Sequence, residues 1–185
     1  MRFGIRQFEL TLMHRMRDLN AAKVEDALTE MGVSRAELRA AHTQWTRMAH
    51  SPRGPKGLAG MRRVLGPPSY EGVRPAGSLT CDVARWRLPS WPELEFEVLA
   101  GPGGEVWNQW FVRPGDGEGV VLGFEELTPW RCVVADVGAS FAGAVQGEGG
   151  APQHWVAEFV HEGRKYRARF VYGLYQRLDK NLENL

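Results

Sequence analysis

Residues 155–172 read WVAEFVHEGRKYRARFVY. Two alternating runs flank Glu162-Gly163, and an X-Gly pair between such runs signals a short hairpin. With those two residues at the turn, Phe159 faces Tyr166, Ala157 faces Ala168 and Trp155 faces Phe170. Strand side chains alternate sides, so these six residues share one face. The other face carries Val160 opposite Lys165 and Glu158 opposite Arg167. A slip of one residue would move every aromatic ring into water, so burial specifies the register. The stretch predicts an antiparallel hairpin with one apolar and one charged face. The β part of the chain is expected to be built around it.

Working back from the hairpin, the chain keeps to period two or to short apolar runs from Leu79 onward. Strands are predicted over 79–87, 94–100, 105–112, 119–125, 130–137, 155–161 and 165–172. Leu94, Phe96 and Val98 alternate with Glu93, Glu95 and Glu97. The run Gly101-Pro102-Gly103-Gly104 turns that strand back into 105–112, so Trp107 and Phe111 can share an inner face with Phe96. The acidic row is expected beside Lys165, Arg167 and Arg169 of the hairpin. Opposite charges on adjacent strands contribute roughly 0.2–1 kcal/mol per pair. Residues 138–145 suit either a strand or a helical turn. Leu174, Leu178, Leu182 and Leu185 have helical spacing and predict a C-terminal helix.

The N-terminal part has the other period. A helix is predicted over 3–18. A second runs from an Asn20 cap through Met31, with Val24, Ala27, Leu28 and Met31 as its apolar stripe and Gly32 as its stop. Ser34 and Glu37 form a capping box for a third helix, which ends near residue 49. Residues 51–77, SPRGPKGLAGMRRVLGPPSYEGVRPAG, are rich in Pro and Gly, with room for one short helix at 58–65. The expected fold is α+β. About three helices fill 1–50, a basic connector spans 51–77, and 78–185 hold an antiparallel sheet or open barrel with the C-terminal helix.

The chain has 185 residues, 43% apolar and 24% charged, which suits a soluble globular protein of one domain or of a small domain with an appendage. No apolar run of about 18 residues occurs, so no membrane partner is expected. The N-terminus lacks the unbroken apolar core of a secretory signal. Cys81 and Cys132 read as buried free thiols in a reducing compartment, with a single disulfide between them as the alternative, and a cytoplasmic location is expected. The net charge of +1 hides a segregation. Residues 1–75 hold 13 Lys and Arg against 7 Asp and Glu; residues 76–163 hold 4 against 13; residues 164–185 hold 6 against 2. Basic ends around an acidic middle imply internal pairing or two surfaces for different partners.

The longest acid-free stretch lies between Glu37 and Glu71. It carries Arg39, Arg47, Arg53, Lys56, Arg62 and Arg63. Guanidinium and ammonium groups contact phosphate oxygens without reading base identity, so this tract is a candidate polyanion site. It could equally serve as a solubilising surface against the acidic half. The overlapping segment Ala27–His42, ALTEMGVSRAELRAAH, resembles a helix-turn-helix, although Leu28 stands where that motif usually has a small residue. Its MGVSRAEL core is also similar to a stretch of some short bacterial arginine-rich regulatory proteins. A plain capped helix corner needs the same glycine and serine.

Trp91, Trp107, Trp110 and Trp130 are candidate ligand-lining residues if they share a concave face, with Trp91 the one expected to be exposed. The alternative is a core of large rings. Cys132, Asp136, Ser140, His154 and His161 are the available nucleophile and base types, but no nucleophile elbow, Cys-x-x-Cys, His-Glu-x-x-His or phosphate loop occurs. No catalytic residue is assigned. His154 and His161 are seven apart and fall on opposite faces of an extended run, so no metal site or cofactor is implied. The reading is a non-catalytic binding or adaptor protein that engages a nucleic acid or an acidic protein surface. The alternative is a small-molecule binder or enzyme with a tryptophan-lined cavity. An inner face filled by its own side chains favours the first; an open cavity with an inward His or Asp favours the second. The sequence sets no oligomeric state.

Overall fold

Helix caps organise the N-terminal part of the computed structural model, which describes residues 3–180. Helix α1 spans Ile5–Met16 and α2 spans Ala21–Met31. The Asn20 side chain accepts the Lys23 amide at 3.2 Å, and Gly32 closes α2 in the left-handed region at φ +61°. Helix α3, Arg35–His50, opens on the expected box. The Ser34 hydroxyl accepts the Glu37 amide and the Glu37 carboxylate accepts the Ser34 amide. A cap of this kind contributes about 0.5–2 kcal/mol. A fourth helix, α4, occupies Gly57–Leu65 inside the proline-rich connector. Its Leu58, Met61, Val64 and Leu65 are buried. Gly57 starts it at φ +58°, where a Cβ would sit 2.3 Å from the Gly104 carbonyl oxygen, so only glycine fits.

A first sheet follows, made of β1 (Tyr70–Ala76), β2 (Leu79–Trp86), β3 (Glu95–Ala100) and β4 (Val106–Val112), in that order. Strand β1 lies within the stretch expected to be connector. It contains Gly72 and Pro75, which weaken a strand signal, and it is an edge strand, where proline is tolerated. Phe96 on β3 meets Phe8 of α1 edge to face at 5.3 Å, so α1 covers one side of the sheet. On the other side Glu97 is fully buried. It accepts Arg74 in a two-point pair at 2.8 and 2.9 Å and Arg85 Nε at 2.7 Å.

Beyond β4 come a 3-10 turn at Phe124–Glu126, helix α5 (Val134–Ser140), and a second antiparallel sheet. Its strands are β5 (Val145–Glu148), β6 (His154–His161), β7 (Arg164–Val171) and β8 (Leu174–Lys180), in chain order. The register of β6 and β7 matches the alternation. Phe159 pairs with Tyr166, Ala157 with Ala168, Trp155 with Phe170 and Glu158 with Arg167. Glu162 and Gly163 both take positive φ, +48° and +75°, the combination that lets a two-residue turn follow the strand twist. Phe170, Ala168 and Phe159 are buried against Phe141, Val137, Cys132 and Tyr175. On the outer face the Arg167 guanidinium reaches Glu158 at 2.5 Å.

Several expectations need correction. There are two four-stranded sheets, not one sheet or an open barrel, and there are five α-helices among the described residues. The acidic row does not flank the hairpin; β5 and β8 do, and Glu97 pairs within the first sheet. Residues 119–125 do not form a strand, because the Val120 and Leu122 amides bond to the side chains of Asp136 and Ser140. The 130–137 stretch enters α5, where the Asp136 carboxylate accepts the Val133 amide at 2.8 Å and caps the helix. Among the described residues the C-terminal stretch is not a helix: Leu174–Lys180 is a strand. Tyr172 and Gly173, at φ +51° and +70°, make a second X-Gly turn. A spacing of four fits a strand of period two as well as a helix, so the leucines alone did not discriminate. Leu182 and Leu185 lie outside the described residues.

The chain divides into two compact units, Met1–Ser90 with Phe96–Gln109 and Trp91–Glu95 with Trp110–Leu185. No helix of the described residues is long and apolar enough to cross a membrane.

The hairpin yields a direct test. Phe170→Ala empties a fully buried aromatic site and is expected to lower unfolding free energy by about 3–5 kcal/mol. Arg167→Ala removes a pair on the open face and is expected to cost under about 1 kcal/mol. Urea denaturation of both variants ranks the two losses, and the reverse ranking contradicts the assignment of faces.

Candidate functional site

The outward sides of α3 and α4 carry the basic tract. Apolar periodicity turns Leu38 and Ala41 of α3, and Leu58, Met61, Val64 and Leu65 of α4, inward. Arg39 and Arg47 on α3, Arg53 and Lys56 in the connection, and Arg62 and Arg63 on α4 are all exposed. Two of the six are engaged within the fold. Arg62 pairs with Glu71 at 2.7 Å, and the Lys56 ammonium donates to the Ala49 carbonyl near the C-terminus of α3. Arg39, Arg47, Arg53 and Arg63 have no ion-pair partner among the described residues. Lysine at a helix C-terminus meets the negative end of the helix dipole, which accounts for Lys56.

The tryptophans divide. Trp91, expected to be exposed, is buried. It packs on Phe111 at 4.7 Å and on Trp130 at 5.5 Å between ring centroids. Trp130 sits at φ +68°, its amide donates to the Tyr175 carbonyl at 2.9 Å, and its ring N–H donates to Gln176 Oε1 at 3.0 Å. Gln176 in turn donates to the Leu174 carbonyl at 2.9 Å. These rings form a core that is hydrogen-bonded into β8. Trp107, on β4, is 45% exposed and donates to Glu105 at 2.9 Å. Trp110 is half-buried.

The nucleophile and base types are occupied structurally. Burial pushes the Cys132 thiol pKa up against the lowering effect of the Thr128 amide. Its sulfur stays a neutral thiol between that amide and the Glu126 carbonyl. Asp136 is fully buried and accepts Arg113 Nε at 3.1 Å, Arg113 Nη2 at 2.8 Å, Val120 N at 2.9 Å and Val133 N at 2.8 Å. The hydrogen bond to Asp136 holds the Arg113 pKa above its usual value. Ser140 Oγ accepts the Leu122 amide at 2.8 Å and donates to the Asp136 carbonyl at 2.6 Å. His161 stacks on Phe124 at 4.4 Å.

This Asp136 hub escaped the sequence reading. Its signal was the glycine run at 115, 117 and 119 ahead of the acid. Gly115 and Gly117 have φ of +85° and +82°, and a Cβ on Gly119 would lie 2.1 Å from the Ala135 carbonyl oxygen. The loop backbone therefore lies directly against α5.

One histidine pair was also unforeseen. His14 of α1 and His42 of α3 stack at 4.0 Å, nearly parallel, and His42 Nδ1 is buried without a hydrogen-bond partner. Burial, then the mutual repulsion and Arg17, hold the His14 pKa down at about 4. Burial and Arg15 lower that of His42.

No family model matches the chain, and no curated protein matches it. A solved structure of a Streptococcus mutans protein, named as a proposed beta-lactamase inhibitor protein, is similar with 12% identity and a TM-score of 0.31. The similarity covers 82% of this chain and 99% of that one. A likeness at that level carries no argument about this chain.

Two outcomes follow from the geometry. Asp136→Ala leaves the Arg113 guanidinium without its buried partner and frees two amides, with an expected loss of about 3–5 kcal/mol in urea denaturation. For the histidines, the folded state binds fewer protons than the unfolded chain wherever the pH lies between the lowered and the ordinary pKa. The His14 contribution is complete above about pH 6.5 and is lost as pH falls toward about 4, and that of His42 is lost in the same direction. His14→Gln/His42→Gln should flatten the fall in stability over that window, measured as the urea midpoint against pH. An unchanged slope means the pair is not buried neutral.

Proposed function

We propose that this is a non-catalytic binding protein whose basic surface on α3, α4 and their connection engages an anionic partner, a nucleic acid or an acidic protein surface. The observation that carries the reading is the set Arg39, Arg47, Arg53 and Arg63. All four are exposed, lack a carboxylate partner among the described residues, and lie in a stretch free of acids from 38 to 70. Exposed guanidinium groups suit anionic oxygens, and phosphate most of all, through two-point hydrogen bonds. The non-catalytic part is supported by the use of Cys132, Asp136 and Ser140 as internal hydrogen-bond partners. It is also supported by the inner face of the second sheet, which Phe159, Phe170 and Phe141 fill. The reading includes a cytoplasmic location, which suits Cys81 and Cys132, both buried and free.

Retention on heparin and on duplex DNA tests the reading. The protein is expected to bind both at low salt. For four phosphate contacts, log K should fall with log salt at a slope of roughly −3 to −4. The variant Arg39→Glu/Arg47→Glu/Arg53→Glu/Arg63→Glu is expected to elute without retention, while Lys56 and Arg62 keep their internal bonds. Retention of the wild type on heparin but not on DNA selects an acidic protein surface. No retention on either at low salt refutes the basic surface as a binding site.

A further inference from the structure

We infer that the loop before α5 docks on the outer face of the second sheet of another copy of this chain, joining copies head to tail. Val121 is 77% exposed, the most exposed of the large apolar side chains among the described residues, and Val120 beside it is also exposed. Their backbone is nevertheless fixed. Asp136 holds the Val120 amide, Ser140 holds the Leu122 amide, and Gly119 lies against α5. An apolar tip presented by a held backbone loses little conformational freedom on binding. Asp116 and Glu118 flank the tip, exposed and without ion pairs among the described residues.

The outer face of the second sheet has the complementary character. Val145 of β5 pairs with Glu158 of β6, so Val160, two residues along β6, is its diagonal neighbour on the same face. The two valines are 67% and 53% exposed. Lys165 stands opposite Val160, exposed and without an ion pair among the described residues, while Arg167 beside it neutralises Glu158, the carboxylate that lies between the two valines on this face. An apolar pair preceded by two unpaired carboxylates thus meets an apolar pair edged by the unpaired ammonium of Lys165, with the Arg167–Glu158 pair neutral between them. Such matching sets partner and orientation more than raw affinity.

The two surfaces lie on opposite sides of one sheet. Asp136 and Val137 belong to α5, and Val137 packs in the core beneath the inner face, whereas Val145, Val160 and Lys165 point outward. One copy therefore cannot satisfy itself, and the contact between copies is heterologous and propagates. With so few groups the association is weak and is strengthened at low salt. It involves none of the arginines of α3 and α4, so it stands or falls apart from the polyanion reading.

Sedimentation equilibrium at low salt tests it. The weight-average mass of the wild type is expected to rise with concentration above the 20.7 kDa of one chain. Val121→Asp, which damages only the tip, and Val160→Asp/Lys165→Glu, which damages only the receiving face, should each stay monomeric. Mixed in equal amounts, they should form a one-to-one complex and nothing larger, because each contributes one intact surface. Near-UV circular dichroism and the milder Val121→Ser confirm that the fold survives. A wild type that stays monomeric at every concentration, a Val121→Asp protein that associates like the wild type, or a mixture that stays monomeric overturns the proposal.

Discussion

The parity of β6 and β7 governs the second unit. Once Glu162 and Gly163 close the turn, every side chain from Trp155 to Phe170 has a face. The inner face receives Phe159 and Phe170, and these create the surface on which Phe141, Val137 and Tyr175 are buried. The stacking of Phe141 on Phe159 at 4.2 Å and of His161 on Phe124 at 4.4 Å depends on the same choice. Shift β7 by one residue against β6 and its core face would carry Lys165, Arg167 and Arg169. Burying three like charges without partners costs several kcal/mol each, so the alternative register is closed off. The outer face inherits the ion pairs for the same reason.

Two buried carboxylates do the corresponding work where apolar alternation is weak. Glu97 lies in a sheet whose inner positions include Arg85, and it takes three hydrogen bonds from two guanidinium groups. Asp136 takes four, two of them from backbone amides. Neither arrangement is evidence of extra stability, because an apolar substitute of the same shape often serves as well. Their consequence is geometric. Asp136 ties Arg113, Val120 and the start of α5 to a single point, and a glycine-rich segment with few apolar anchors thereby acquires one conformation. Removing either carboxylate would strand its cations, which is why such hubs tolerate replacement poorly.

What was legible in the sequence follows from range. The Glu162-Gly163 turn, the Asn20 cap and the Ser34–Glu37 box act within a few residues, and each was readable because its chemistry is local. Strand β8 was misread because leucines four apart suit both periods; the Tyr172-Gly173 pair, of the same kind as Glu162-Gly163, was the better signal. Strand β1 hid behind Gly72 and Pro75, which only an edge position excuses. The partners of Glu97 and Asp136 were not legible at all. Arg113 lies 23 residues before Asp136, and Arg74 lies 23 before Glu97, so either pairing depends on which strands and loops meet. Trp91 was misjudged for a related reason. Its flanks, Ser90 and Pro92, look exposed, yet the ring is covered by Phe111 and Trp130, which no local rule brings to it.

The charge segregation looks different once burial is known. The acidic middle of the chain counts Glu95, Glu97 and Asp136 among its carboxylates, and all three are buried. Glu97 is matched by Arg74 and Arg85, and Asp136 by Arg113, so part of the apparent negative charge never reaches water as an unpaired field. The basic tract of α3 and α4 has no such internal sink. Apart from Arg62 with Glu71, its arginines face solvent without a carboxylate among the described residues. A formal charge of +1 therefore understates the positive potential over that surface. Mobile ions screen exposed charges that are more than a Debye length apart, about 8 Å at physiological salt, so only acids close to that surface can cancel its field. The asymmetry that decides what this surface attracts is thus set by which carboxylates the fold buries, and not by the balance of the whole chain.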